Sequence, residues 1–203
     1  MRGAAGGVSC ALLLAACGSS AASSPSLTTL LTKPASAYLL GLDQLKAAGF
    51  VAVEAAHSVD AGQLGVGDST LAAALTSAGL QDAATARWFR SVPQLSTSNG
   101  PIDVRSTVLR CSSTAAAHNA YAALTRHTDA VPSMVAESTG PLGDEAHADE
   151  IGSVASDGTR LIEFTVTWRT ANLVSVLVAR GREGGSGLID ALILAHAQAA
   201  GEQ

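Results

Sequence analysis

Aromatic and charged side chains are scarce in this chain of 203 residues: aromatics make up 3% and charged residues 14%. With so few aromatics, the core must be built from small side chains that each bury little apolar area, which predicts modest stability. Hydrophobic residues reach 47%, which excludes disorder throughout. The length is close to that of one ordinary domain and predicts a single core.

A cluster of basic residues is also missing. The formal net charge is -5, and the 12 lysines and arginines are spread along the chain. Binding to phosphate backbones needs a basic stripe, and binding to single strands usually adds stacking aromatics. The sequence therefore predicts no nucleic-acid partner.

The common catalytic motifs are absent as well. The run Gly184-Gly185-Ser186-Gly187 is continued by Leu188 and so breaks the nucleophile-elbow pattern G-x-S-x-G. Neither the Walker lysine motif nor the two-histidine zinc motif of a helix occurs. The enzyme classes that depend on these motifs are disfavoured, and no cofactor is predicted.

Residues 1–16 have the order of a secretory signal peptide. One positive charge at Arg2 precedes an apolar run over residues 8–16. The run is well short of the ~20 residues that a membrane-spanning helix needs. We therefore expect it to be removed rather than to anchor the protein.

The end of this run, Leu14-Ala15-Ala16-Cys17, resembles the bacterial lipobox, in which a cysteine becomes the new amino terminus. The resemblance implies that Cys17 carries a diacylglyceryl group on sulfur and often an acyl chain, such as palmitate, on nitrogen. Two or more chains hold a protein at the membrane, because each buried CH₂ contributes about 0.8 kcal/mol. Residues 17–26 are then a flexible tether of small polar residues on the extracytoplasmic face.

Residues 27–203 are predicted to form one α+β domain, an antiparallel sheet with helices packed on one face. The clearest signal is the apolar alternation from Ile162 to Trp168. A second alternating run follows it, and a turn containing Asn172, which tolerates left-handed backbone, makes the two runs a hairpin. Further strands are predicted over 50–54 and 102–111, a strand or core-facing turn over 85–92, one or two helical turns over 39–49, and a final helix from Ser186 or Gly187 to about residue 199.

Two other helices have recognisable ends. Asp68 or Ser69 caps a helix over residues 69–77, and Gly79 ends it. An alanine-rich helix begins at Thr114 and continues to about residue 128. Its residues expected to face the sheet are Ala117, Tyr121, Leu124 and Thr128.

The densest polar segment lies over residues 141–150. Its candidate metal ligands are Asp144, Glu145, His147 and Asp149, whose oxygen atoms suit Ca²⁺ or another hard cation. The spacing does not match the EF-hand loop. The alternative interpretation is a solvated acidic turn that leads into a strand.

A polar sheet face is the second candidate site. Glu163, Thr165, Thr167 and Arg169 alternate on one side of the predicted hairpin. This face is covered by a loop, open to water, or a shallow surface for a peptide, glycan or lipid.

The cysteines and histidines are the residues that could support catalysis or metal binding. If Cys10 leaves with the signal peptide and Cys17 is lipidated, Cys111 has no intrachain partner. It is then either buried or paired between molecules, and burial is expected. Cys111 follows Arg110 and is either a cation-activated nucleophile or a small hydrophobe in a strand. His118 and His127 point about 180° apart on one helix and therefore do not share a metal ion.

Four short segments carry a family resemblance. They are Asp43-Gln44-Leu45 before Gly49-Phe50, Ser113-Thr114-Ala115, residues 142–146 (Leu-Gly-Asp-Glu-Ala), and residues 168–174 (Trp-Arg-Thr-Ala-Asn-Leu-Val). In this order the chain resembles small exported lipoproteins of high-GC bacteria. It is also loosely similar to the extracellular sensor domain of mycobacterial receptor Ser/Thr kinases.

Together these patterns predict a membrane-anchored envelope lipoprotein with a noncatalytic, sensor-like domain for a small molecule, a peptide or a partner protein. The alternative is a surface-tethered hydrolase with a site near His147 or Cys111.

Overall fold

The computed structural model describes residues 29–45 and 49–203. The predicted signal peptide over residues 1–16, the predicted lipidation site Cys17 and the predicted tether over residues 17–26 lie outside this described part. The described elements, apart from short turns, are β1 (Phe50–Val59), α1 (Ala61–Gly65), α2 (Ser69–Ser77), β2 (Leu80–Arg90), β3 (Pro101–Cys111), α3 (Thr114–Asp129), β4 (Val135–Glu137), β5 (Glu145–Val154), β6 (Arg160–Thr170), β7 (Leu173–Arg182) and α4 (Gly187–Ala200).

All seven strands of the described residues join one antiparallel sheet in the order β1-β2-β3-β7-β6-β5-β4. The first three strands are neighbours in chain order. After α3 the chain crosses to the far edge, begins again at β4 and returns through β5 and β6 to pair β7 with β3. The α+β class and the antiparallel sheet are confirmed.

Helices cover both faces of the sheet, not the single face that the sequence predicts. α4 packs on β6 and β7, where Leu194 joins a core cluster with Leu177. α2 and α3 lie on the opposite face, where Leu75 and Ala120 join a cluster with Val174. Val174 and Leu177 are three residues apart in β7 and so point to opposite sides. Because both sides of the central strands are apolar, each needs a cover.

The predicted ends of α2 and α3 are confirmed, and the buried face of α3 is corrected. The Asp68 side chain accepts hydrogen bonds from the first turn of α2, and the Ser113 side chain caps α3. The fully buried residues of α3 are Ala117, Ala120 and Ala123, whereas Tyr121 and Thr128 are only half-buried. A stripe of small residues lets the helix approach the sheet and α2 closely.

The β6–β7 hairpin is confirmed, but its left-handed residue is not Asn172. Thr170 pairs with Leu173, and Ala171 in the turn has φ of 52°. The Asn172 side chain is buried and donates to the carbonyls of Cys111 and Leu31 at 3.0 and 3.1 Å. Asn172 therefore fastens the turn to neighbouring segments instead of supplying its unusual backbone.

Strand and turn boundaries differ from the predictions at three places. β1 continues to Val59, and β2 begins at Leu80, upstream of the predicted residue 85. A 3₁₀ turn over Ala35–Tyr38 precedes the segment in which helical turns were expected. Among the described residues, no helix has both the length and the hydropathy that crossing a bilayer requires.

Candidate functional site

A row of directly opposed side chains crosses the sheet on the face that carries α2 and α3. From β5 to β1 the row reads His147, Thr167, Val176, Thr107, Thr85 and His57. α3 packs over β6 and β7, and Thr167 beneath it is 2% exposed. The helix therefore divides the face into an open part towards β1 and a polar part towards β5.

The open part is a groove of about 350 Å³. Strands β1, β2, β3 and β7 form its floor, while α1 and Leu124 of α3 contribute to its walls. Its other apolar lining residues are Val59, Leu64, Val66, Leu109, Val176 and Val178. Its polar lining residues are Glu54, His57, Gln63, Thr85, Arg105 and Thr107. The groove therefore combines an apolar body with polar groups.

Irregular pairing of β1 brings two titratable residues to this groove. The register of β1 against β2 shifts on both sides of Glu54. In a regular strand Glu54 and His57, three positions apart, would point to opposite faces. The bulges place both side chains in the groove lining, with His57 Nε2 3.4 Å from Glu54 Oε1.

Local bonds hold the wall formed by α1. The Asp60 carboxylate accepts from the backbone N–H of Gln63 at 2.8 Å. The Gln63 side chain in return accepts from the N–H of Asp60 at 2.9 Å. These two hydrogen bonds form a capping box, which stabilises a helix of only five residues.

Arg105 and Arg87 are direct partners across β2 and β3 and have different surroundings. Arg87 forms an ion pair with Asp103, and this hydrogen bond raises the pKa of the Arg87 guanidinium above its usual value. Arg105 is exposed and has no ion-pair partner among the described residues. A groove with one such arginine is suited to an anionic group.

The four residues predicted to form a ligand surface do not line the groove. Thr165 and Thr167 are buried at 9% and 2% exposure, so that part of the sheet face is covered, by a helix and not by a loop. Arg169 is held by Asp144 at 3.0 Å and Glu145 at 2.6 Å, and Glu163 is half-buried. A ligand-binding role for these four residues remains a prediction.

The acidic segment is divided between two sets of contacts. Arg169 engages Asp144 and Glu145, and His118 lies 2.9 Å from Glu145. Burial favours the neutral form of Glu145, but hydrogen bonds from His118 and Arg169 outweigh it and lower the pKa of this carboxyl. His147 and Asp149 lie further along β5 and do not join this network.

The sequence interpretation allowed an acidic turn over residues 141–150, but residues 145–150 of this segment belong to the strand β5. Residues 145, 147 and 149 therefore point to one face of the sheet. This places His147 and Asp149 together beneath the C-terminal end of α3, where Asp129 completes a group of three possible metal ligands. The sequence interpretation named His147 and Asp149 and missed Asp129.

Cys111 is fully buried at the end of β3. Burial raises the pKa of its thiol to about 11, although the charge of Arg110 opposes this. A thiol in this state stays protonated near neutral pH and is a poor nucleophile. The geometry therefore favours the interpretation of Cys111 as a small hydrophobe in a strand.

The histidines of α3 contact separate carboxylates. His118 pairs with Glu145, and His127 Nδ1 lies 3.0 Å from Asp68 at the start of α2. The two rings serve different faces of the helix, as their spacing predicts.

Comparison with known proteins adds information about the fold. No family model matches the chain, and no curated protein matches it significantly. Among solved structures, the extracellular domain of PknH from Mycobacterium tuberculosis is similar, with a TM-score of 0.57 and 8% sequence identity. The similarity covers 85% of this chain and 98% of that one. At this identity the fold is what is shared, and the resemblance to the kinase sensor domain is confirmed at that level.

Proposed function

We propose that this chain is a membrane-anchored envelope lipoprotein whose domain binds a ligand without catalysis. The observation that carries the proposal is the groove between α1 and α3, which has a mixed lining and an exposed arginine. The signal-peptide pattern and the lipobox before Cys17 support an extracytoplasmic, lipid-anchored location. The fold shared with the extracellular domain of PknH is in keeping with that location.

The lining of the groove favours binding over catalysis. The described lining contains neither serine nor cysteine. The Thr85 hydroxyl oxygen lies 3.1 Å from the carbonyl of Ser106 and 2.9 Å from the Thr107 hydroxyl. These two hydroxyls are thus already engaged. The neighbouring His57 contacts Glu54 and the carbonyl of Ala55, and among the described residues it forms no hydrogen bond with either hydroxyl that would activate it.

The ligand that this lining suits is a small amphipathic anion. Val176, Val178 and Leu124 offer an apolar surface for a hydrophobic body. Arg105 offers an exposed cation for a carboxylate, sulfonate or phosphate group. A peptide or partner protein with an acidic, hydrophobic segment would present the same chemistry.

Anilinonaphthalene sulfonate, a fluorescent hydrophobic anion, tests the groove. Val178→Trp should fill the floor and lower the affinity for this dye by at least about tenfold, equivalent to 1.4 kcal/mol. Arg105→Ala should lower it about two- to fivefold, as expected for an exposed ion pair of 0.5–1 kcal/mol. Val154→Trp and Arg126→Ala are matched controls, because both residues are exposed and lie outside the groove lining.

The dye experiment has a defined negative result. Dye binding that is absent from the folded protein, or is equal in Val178→Trp and Val154→Trp, would contradict ligand binding in this groove. Thermal unfolding of each variant serves as the check that it is folded.

The anchor is tested separately at Cys17. Mass spectrometry of the mature protein should find Cys17 as the first residue, carrying the mass of a lipid. Cys17→Ser should abolish labelling by palmitate and release the protein from the membrane fraction, whereas Cys111→Ser should do neither. An unmodified Cys17 in the membrane-associated protein would refute the anchor.

A further inference from the structure

His147 on β5 lies between two carboxylates. Its Nε2 atom is 3.2 Å from Oδ1 of Asp129, the last residue of α3, and 3.0 Å from Oδ1 of Asp149, its neighbour on the same face of β5. The three side chains range from Asp149 at 2% exposure to Asp129 at 56%. The group is therefore a small site that is closed below and open towards solvent.

A proton on His147 does not satisfy both carboxylates. A ring nitrogen carries one hydrogen, and the hydrogen bond of good geometry from Nε2 is directed at Asp129. The Asp149 carboxylate is almost wholly buried, and among the described residues its ion-pair contact is with His147 alone, at 3.0 Å. Keeping a buried carboxylate charged is costly unless it is paired, and a bound cation would pair with both aspartates at once.

From this geometry we infer that Asp129, His147 and Asp149 bind a divalent transition-metal ion, in the first place Zn²⁺. Ligands placed 2.0–2.2 Å from a tetrahedral zinc ion lie about 3.3–3.5 Å from one another. The observed N···O distances of 3.0 and 3.2 Å are within a few tenths of an ångström of this spacing. Small side-chain movements would therefore admit the ion.

The ligand types favour zinc over the hard cation that the sequence interpretation considered. Ca²⁺ takes six to eight oxygen ligands, whereas this site offers one imidazole nitrogen and carboxylates from only two residues. Imidazole with carboxylate is a usual zinc set, and three protein ligands leave a position for water or another ligand. The ion would join the end of α3 to β5.

Three other histidines provide an internal comparison. Within the described part of the chain, His57, His118 and His127 each lie near the carboxylate of a single residue: Glu54, Glu145 and Asp68, respectively. Among the described residues, the group around His147 is the one with three candidate ligand atoms within 4.8 Å of one another. His127→Ala is therefore a matched control, since it removes a histidine paired with a single aspartate.

The test is titration of the metal-free full chain with Zn²⁺. Calorimetry measures the binding, and thermal unfolding measures the stabilisation. Cys10→Ser and Cys17→Ser in the background prevent those thiols from binding metal. One equivalent of Zn²⁺ should bind and raise the unfolding temperature. Removing a residue that only hydrogen-bonds to a metal ligand weakens metal binding about 10- to 100-fold. His147 and Asp149 are proposed to be ligands themselves, so His147→Ala and Asp149→Asn should weaken Zn²⁺ binding by at least about 100-fold.

His147→Ala or Asp149→Asn could unfold the protein, since both residues lie on β5 beneath α3. Asp129→Asn then still tests the site, because the Asp129 side chain is exposed. This variant should also weaken Zn²⁺ binding, while His127→Ala should bind as the parent chain does. Substitution of Co²⁺ should give visible absorption bands that are lost with His147→Ala. Absence of stoichiometric Zn²⁺ binding, or binding unchanged in both His147→Ala and Asp129→Asn, would overturn the inference.

Discussion

Replacing Glu202 with alanine should destabilise the domain, because its carboxylate is a buried acceptor for three donors. Glu202 follows α4 and is 1% exposed. Oε2 accepts from Nε1 of Trp168 at 3.0 Å and from the Thr170 hydroxyl at 2.8 Å. Oε1 accepts from the Ser175 hydroxyl at 2.6 Å. These bonds fasten the end of the described chain to β6 and β7.

The magnitude depends on which donor is left without an acceptor. The Thr170 and Ser175 hydroxyls can rotate towards other acceptors, whereas the indole N–H of Trp168 has a fixed direction and its residue is fully buried. An unsatisfied buried donor costs about 1–3 kcal/mol. Loss of the hydrogen bonds from Thr170 and Ser175 adds to this cost. Removal of the buried Glu202 carboxylate also removes the cost of burying its charge, which offsets that addition. We therefore expect Glu202→Ala to lower the free energy of unfolding by about 1–3 kcal/mol.

The stability contributed by Glu202 should also depend on pH. Burial raises the pKa of Glu202 above its usual 4.5, although hydrogen bonds from Ser175, Trp168 and Thr170 oppose this. The folded state thus holds the proton more tightly than the unfolded state. This contribution is fully present below the unfolded pKa and is lost as pH rises through the folded pKa. Glu202→Gln does not ionise and should lack this dependence.

Urea unfolding followed by tryptophan fluorescence measures both effects. The free energy of unfolding of the parent chain minus that of Glu202→Gln should decrease as pH rises from about 4.5 to neutrality. Glu150→Gln, at a half-buried glutamate of β5, controls for the change in charge. An unchanged urea midpoint in Glu202→Ala, or identical pH profiles for Glu202→Gln and the parent, would refute the reasoning.

Three further predictions follow from burial and capping. Cys111, buried with a thiol pKa of about 11, should resist iodoacetamide near neutral pH and react in urea; mass spectrometry that finds it alkylated in the native protein would contradict this. Ser113→Ala removes a 3.1 Å bond from the N–H of Ala116 and should cost about 1 kcal/mol in urea unfolding, while Ser113→Thr should retain most of it. Leu75→Ala, at a fully buried position, should cost about 2–5 kcal/mol, against less than about 0.5 kcal/mol for Leu42→Ala at an exposed one.

Elements with local signals could be predicted from the sequence. Asp68 caps α2, and the strict alternation up to Trp168 specifies β6. Each of these signals lies within a few residues of the structure it determines. The prediction of β2 was less complete because its first residues, from Leu80, contain few of the side chains typical of strands.

Features that depend on tertiary packing could not be predicted in this way. The buried alanine stripe of α3 is set by contact with both the sheet and α2, and no single stripe of larger residues marks it. The bulges that bring Glu54 and His57 to one face leave no local pattern in the sequence. The groove was missed for the same reason, because its floor combines strands that are distant along the chain.

The group around His147 was partly within reach of sequence reasoning. His147 and Asp149 are two positions apart, so recognition of β5 as a strand would have put them on one face. Asp129 belongs to α3, which precedes β4 in the sequence, whereas His147 and Asp149 follow β4. Its approach to these two residues depends on the path of α3 across the sheet. Because Asp129 is the exposed member of the group, its substitution alters the proposed metal site without disturbing the core, and it therefore separates metal binding from folding more cleanly than either residue of β5.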